Sequence, residues 1–379
     1  MRIHQMLAAG VLALASVGMA QAQPIPLVNI LELSGAGAAI GTNYKNGVEL
    51  AVKEVNAAGG VLGRKLEVTT LDTQSNATMA RQLVQRAVDM NAFAVIGPTF
   101  SGSMVVSMAE TRRAQIPNFT GAAAASITSQ GNAYVIRTNT TQSDSMPKLV
   151  RHIKEAMKAG TIDIIWINND FGKGGRDEFV KAAQKLGMKI GADVSTDQNQ
   201  LDFSGPVLKV KQANSDVLFV YTNEEESARV LRELRKQGFG KPIVGETTLV
   251  NQKVIELAGD AANGVMAQVT LTADGPQPTV RAFDEKFTKE YKYKADHNAI
   301  QGYMVPYIIK VISERIGKVD PKAFAAAMKG ALITTTDTPG ILLDTKFDDK
   351  GDPDRVSYLI EVRNGKQVVT AVLPASGKF

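Results

Sequence analysis

Residues 95–106 read VIGPTFSGSMVV. An apolar run stops at Gly97-Pro98, passes the hydroxyls of Thr99, Ser101 and Ser103, and resumes as an apolar pattern from Met104. This is the signature of a strand that turns into a helix through a Gly- and Ser-rich loop. The first turn of a helix has unpaired N–H groups and the positive end of the helix dipole, so such a loop suits an anion. One of the two serine hydroxyls is expected to cap the helix while the other faces outward.

The same strand–helix rhythm extends in both directions. An apolar run at 26–33 precedes a helical pattern at 44–57 closed by Gly59-Gly60, and 65–71 alternates as a strand before a helix at 79–90. The segment 92–96 reads as a buried strand and 116–119 as the next one. Further on, strands at 162–167, 188–193 and 217–221 alternate with helices at 174–186, 203–212 and 225–237. Such alternation means βαβ units, parallel sheets and helices on both sheet faces. An interruption at 137–144 divides it into two runs, which predicts two doubly wound α/β lobes. The end departs from the pattern, with strand-like runs at 340–347, 357–363 and 367–373 and a hairpin signal at Asn364-Gly365.

The chain has 379 residues, 44% hydrophobic and 21% charged, which suits two ordinary globular cores rather than one. Residues 1–22 differ from the rest: a short basic start, an apolar run at 6–19, then Ala20-Gln21-Ala22. That pattern predicts a cleaved secretory signal peptide, because the run is shorter than the roughly 20 residues that span a bilayer. No later segment resembles a span, so a soluble periplasmic protein is expected. The chain contains no Cys, which excludes disulfides and a lipid anchor at the cleavage site. The net charge of +5 is spread among mixed charges without a basic stripe, so no nucleic-acid partner is expected.

Chemistry is sought where parallel strands end, because open α/β sheets bind ligands outside the carboxyl ends of their strands. Six segments fall there: 34–41, 99–103 and 120–126 in the first run, and 168–175, 222–225 and 245–249 in the second. Gly97 to Gly102 has the two glycines of a phosphate loop, but Ser103-Met104 stands where Lys-Ser/Thr is required. The GAGAAI stretch at 35–40 lacks the third small residue of a dinucleotide fingerprint. A hydrolase would need a nucleophile beside a base, and there is no Cys and no Gly-x-Ser-x-Gly elbow. Of the three histidines, His4 leaves with the signal and His152 is expected at a basic helix surface. His297, beside Asp296, is expected in a polar turn before a helix at 303–312. The acidic DDKGDPD at 348–354 lacks the terminal Glu of a calcium loop and reads as a turn. No enzyme activity, metal or cofactor is expected. A carboxylate remains as the anion, supported by TGAAAAS at 120–126, whose small residues let a ligand approach the backbone closely.

With these residues in view, the chain resembles the type I periplasmic binding proteins of ABC importers, and among them the leucine/isoleucine/valine-binding branch. The resemblance is carried by LSG at 33–35, GVELAVKEVNAAGG at 47–60, GRKL at 63–66, LDT at 71–73 and VIGP at 95–98, with NDFGKG at 169–174 and FDDKGD at 347–352. It implies two doubly wound α/β lobes joined by a three-crossover hinge, lobe 1 from 23–141 and 268–345 and lobe 2 from 142–267 and 346–379. It implies a monomer that closes on a small-molecule ligand and presents itself to ABC permease subunits. Carried over, Ser101 would hold the ligand carboxylate, and Gly121, Ala122 and Ala123 would offer backbone groups. Phe171 would cover the ligand, Ile40 would line its apolar end, Asn223 would stand beside it, and Glu246 or its neighbour Thr247 would meet an ammonium.

Two departures bear on the ligand. Ala123 stands where the family has a hydroxyl beside the ammonium, and Phe171 stands where it has a Tyr. The resemblance therefore implies a branched-chain or similar apolar amino acid first, and an aromatic or aliphatic carboxylate without an ammonium second. A ligand-sensing receptor domain of the same fold is a further alternative.

Overall fold

The structure is a computed structural model that describes residues 23–375. The expected signal segment 1–22 lies outside the described residues. The first sheet holds β1 (Ile25–Leu31), β2 (Leu66–Asp72), β3 (Ala94–Ile96), β4 (Asn118–Thr120) and β5 (Val135–Arg137), all parallel, in the order β2-β1-β3-β4-β5. Between and beyond them run α1 (Ala38–Ala57), α2 (Ala77–Asp89), α3 (Ser101–Ala114) and the short α4 (Ser126–Ser129). The second sheet takes the parallel strands β6 (Thr161–Ile167), β7 (Lys189–Thr196), β8 (Val217–Tyr221), β9 (Ile243–Glu246) and β10 (Met266–Val269). Its helices are α5 (Gln142–Glu155), α6 (Asp170–Lys185), α7 (Ser204–Ala213), α8 (Glu224–Lys236) and α9 (Gln252–Ala258). The chain then returns to the first lobe with α10 (Pro278–Tyr291), α11 (His297–Ile316) and α12 (Pro321–Met328).

A small antiparallel sheet of β11 (Leu332–Ile333), β12 (Thr345–Phe347) and β13 (Pro353–Asp354) follows. The hairpin β14 (Ser357–Arg363) and β15 (Lys366–Leu373) then completes the second sheet as β15-β14-β10-β9-β8-β6-β7. The hairpin turn falls on Asn364 and Gly365, both at positive φ (50° and 70°), the backbone that this dipeptide favours.

The fold class read from the sequence is the one observed: two α/β lobes, each with a sheet between helix layers, all parallel in the first and parallel apart from the β14–β15 hairpin in the second. Alternate residues of β1 serve different cores, Leu27 and Leu31 packing with α1 and α11, and Val28 and Ile30 with α2. The second sheet is likewise covered on both faces by separate apolar clusters. The chain passes between the lobes three times, after β5, after β10 and before β14. These crossings bond to one another, Thr270 Oγ1 donating to Asn139 Oδ1 at 2.8 Å and Arg355 donating to the Thr138 carbonyl.

Three local expectations need correction. Strand β2 is no clean alternation, because it is the sheet's edge and only Leu66 is fully buried. Helix α6 begins at Asp170 instead of 174, since Asn169 caps it by accepting from the Gly172 N–H at 2.9 Å. The run 340–347 is a strand only from Thr345, and Gly340 lies so close to the Tyr307 ring that a Cβ would overlap it.

Candidate functional site

A cavity of about 170 Å³ opens between the lobes at the carboxyl ends of both parallel sheets. A cavity of roughly 150 Å³ accepts a benzene-sized molecule, so the space suits one small solute. From the first lobe it is lined by Ile40 in the first turn of α1, by the loop 99–103, by Gly121 and Ala123 after β4, and by His297 and Asn298 at the start of α11. From the second lobe come Asn169 and Phe171, Gln198, Asn223, and Glu246 to Thr248 after β9.

The loop at 95–106 does bind a carboxyl group, but an internal one. Glu32, just after β1 and fully buried, accepts from the N–H groups of Thr99 and Phe100 at 3.1 and 3.2 Å and from the Thr99 hydroxyl. Burial pushes its carboxyl above the usual range, and these donors oppose the rise. Neither serine caps α3: the N-cap residue is Phe100, and no side chain accepts from the N–H groups of the first turn. What the loop before the helix pairs with is the Glu32 carboxyl just after β1, 67 residues away in sequence.

That pairing leaves Ser101 to the cavity. Its Oγ accepts from the Ala124 N–H at 3.3 Å, which leaves the hydroxyl proton to donate. Gly121 and Ala123 also face the cavity, and among the described residues their N–H groups donate to no protein acceptor. Ala122 does not line it. Its N–H donates to Thr120 Oγ1 at 3.1 Å and its carbonyl accepts from Arg137, so both backbone groups are spent within the lobe. The small-residue turn thus offers two positions rather than three. Arg137 also donates to Ala124 O at 3.1 Å and to Asp352 at 2.7 Å, which pins the turn from below.

On the opposite wall, Phe171 stacks on Tyr221 with ring centroids 4.3 Å apart. The Tyr221 hydroxyl lies 3.4 Å from Glu246 Oε2 and accepts from Gln142 Nε2 at 2.9 Å. Glu246 ends β9, is buried, and has its carboxyl pushed up to about 7 by burial, with Ser145 and Tyr221 opposing the rise. Thr247, the next residue, also faces the cavity. Asn223 is the N-cap residue of α8 and Ile40 sits in the first turn of α1, and both are in the lining. None of the lining residues is a Lys or Arg.

Six lining residues fall outside the segments expected from the sequence: Ser75, Ala77, Asn139, Gln198, His297 and Asn298. His297 is not in a polar turn. It is the first residue of α11, with Asp296 capping the helix by accepting from the Ala299 N–H at 2.9 Å. The Asp-His-Asn triplet carries this helix-start signal, and a helix starting there aims its first turn at the crevice. Asn139 and Gln198 lie on connecting segments and leave no comparable mark. Among the described residues no group of three or more His, Asp or Glu is arranged to hold a metal ion.

Residues 24–367 match the model of a family described as periplasmic binding protein. Among curated relatives, the leucine-, isoleucine-, valine-, threonine- and alanine-binding protein of Pseudomonas aeruginosa is 25% identical over 353 residues, 93% of each chain. A branched-chain amino acid transporter substrate-binding protein from Streptococcus pneumoniae, solved with isoleucine, superposes with a TM-score of 0.83 at 23% identity, covering 93% of this chain and 99% of that one. An ABC transporter solute-binding protein from R. palustris, solved with benzoate, gives 0.84 at 21% identity, covering 93% and 97%.

Proposed function

The chain belongs to the periplasmic binding protein family, and from that premise we propose that it is the solute-binding subunit of an ABC importer, with an α-amino acid as its ligand. The family is one of substrate-binding transport proteins, not of enzymes. The observation that carries the ligand reading is the placement of opposite needs on one cavity. Ser101 and the N–H groups of Gly121 and Ala123 offer donors to a carboxylate. The buried carboxyl of Glu246 has no basic partner in the same lining, and an ammonium supplies one. Ile40, Phe100 and Phe171 provide the apolar surface. A branched-chain or related apolar amino acid is the first candidate, as the names of the relatives suggest.

A second reading rests on one observation. Ala123 contributes no side-chain acceptor, and the Phe171–Tyr221 stack presents an aromatic wall, which suits an aromatic carboxylate without an ammonium. Isothermal titration with leucine, isoleucine, valine and benzoate separates the two. Binding of benzoate with none of the three amino acids removes the first reading.

The lobe division at 23–141 with 268–345 and 142–267 with 346–379 belongs to the same proposal, as do the periplasmic location, the permease partner and the monomeric state. The role needs no bond-making. Open and closed forms differ by a few kcal/mol, and the ligand stabilises the closed form because it touches both lobes only there.

A further inference from the structure

The far wall of the cavity is polar where an apolar ligand would want it apolar. Thr247 and His297 line the main cavity and also a second one of about 20 Å³ directly behind it, so the pair forms the partition between them. Ser101 and Gly121 line only the main cavity. Along α11, Gln301 packs against Gly121 at the carboxylate end, and His297 lies one turn further back. Asn43 of α1 donates to Asp296 at 2.8 Å, which ties His297 to the helix that carries Ile40. The partition is therefore the end of the cavity opposite Ser101.

Both partition residues have unused hydrogen-bonding capacity. Thr247 is 6% exposed, and among the described residues its Oγ1 has no partner. His297 is 9% exposed, and among the described residues no group is hydrogen-bonded to its imidazole. Burial holds this imidazole below its usual value, so at neutral pH it carries one donor and one acceptor. The charges behind it are already engaged. Lys294 pairs with Asp274, and Asp296 accepts from Asn43, Asn298 and the Ala299 N–H. An anionic group at this end would find Lys294 already paired, a cationic one would find Asp296 already accepting three hydrogen bonds, and an alkyl end would leave a buried hydroxyl unpaired.

We infer that the solute carries a neutral hydrogen-bonding group, a hydroxyl or a carboxamide, at the end opposite its carboxylate, and that Thr247 and His297 are the residues that read it. This rests on the solute-binding reading above and narrows it, setting a solute with a polar end ahead of the purely apolar amino acids. A site built to pair with a polar group rejects the analogue that lacks one far more strongly than an apolar pocket rejects an added hydroxyl.

Titration calorimetry with matched pairs tests the inference: glutamine against norleucine, threonine against valine, and 4-hydroxybenzoate against benzoate. In whichever pair binds, the polar member is expected to bind at least about tenfold tighter, the worth of one buried hydrogen bond. Thr247→Val, which keeps the side-chain shape, and His297→Phe are each expected to narrow that preference. Ser101→Ala is expected to weaken both members of a pair alike. The inference is overturned if the apolar member binds as tightly, if both substitutions leave the preference unchanged, or if none of the six is bound. The comparison on the unsubstituted protein needs no variant to fold. If both amino-acid pairs are silent while 4-hydroxybenzoate outbinds benzoate, the ammonium reading fails and this one stands.

Discussion

Arg137, at the end of β5 and with no solvent exposure, donates to Asp352 at 2.7 Å across 215 residues of sequence. The same guanidinium reaches the carbonyls of Ala122 and Ala124 and the Thr128 hydroxyl, which itself donates to Asp352 at 2.8 Å. The small-residue turn that lines the cavity is thus held by an ion pair beneath it.

Removing one half of this pair strands a buried charge. Asp352→Ala is expected to cost about 3–5 kcal/mol in urea unfolding, against under 1 kcal/mol for breaking an exposed pair such as Lys53–Glu290. Ligand affinity should drop as well, because the turn loses its support. A loss within the range of an exposed pair would show that the turn holds without Asp352.

Ser101→Ala removes a hydroxyl whose proton is left for the ligand, and also an acceptor for the Ala124 N–H. A hydrogen bond to a charged group contributes about 1.5–3 kcal/mol, so affinity for any carboxylate should fall roughly 10- to 100-fold. The far-ultraviolet circular dichroism should not change. An unaltered dissociation constant takes Ser101 out of the site.

Glu246 makes the affinity depend on pH in a direction that tells the two ligand classes apart. Without ligand its carboxyl titrates at about 7, above its ordinary 4.5. An ammonium favours the ionised form, so binding an amino acid below about pH 7 releases a proton and weakens as pH falls further. A carboxylate lacking an ammonium would instead bind better as Glu246 gains its proton. Titrations in buffers of different ionisation enthalpy report the proton directly. The same group adds to the stability of the empty protein below about pH 4.5, and that contribution is lost as pH rises through about 7.

Helices α1 and α11 cross closely because each has a glycine at the contact. A Cβ on Gly47 would collide with the Ala299 carbonyl, and one on Gly302 with the Tyr44 carbonyl. Alanine favours helix over glycine by about 1 kcal/mol, yet Gly47→Ala and Gly302→Ala should destabilise by about 1–3 kcal/mol through overpacking. Thermal melts of both variants decide the sign, and a raised midpoint would mean the helices can part.

The alternation of strand and helix was legible because each βα unit repeats the same local signals. What escaped was set by contacts far apart in sequence. Gly172 read as loop, but it lies inside α6, where a Cβ would strike Ile167. Glu32 fell inside the apolar run 26–33, and only the meeting of β1 and β3 brings its carboxyl to the N–H groups of the loop before α3. His297 looked like a turn residue because its neighbours are polar, whereas its burial comes from α1 packing along α11. At Ser101 the loop chemistry and the cavity coincide. At Ala122 they do not, because Arg137 claims its carbonyl.

The absence of Lys and Arg from the cavity lining has a consequence for the medium in which the protein works. A carboxylate held by a lysine is held by a charge that dissolved salt competes for, whereas hydroxyl and amide dipoles in a closed interior are hardly screened. On the carboxylate reading proposed above, affinity should therefore change little between dilute and brackish surroundings, and an importer fed by this protein would keep its uptake threshold when the ionic strength outside does not stay constant.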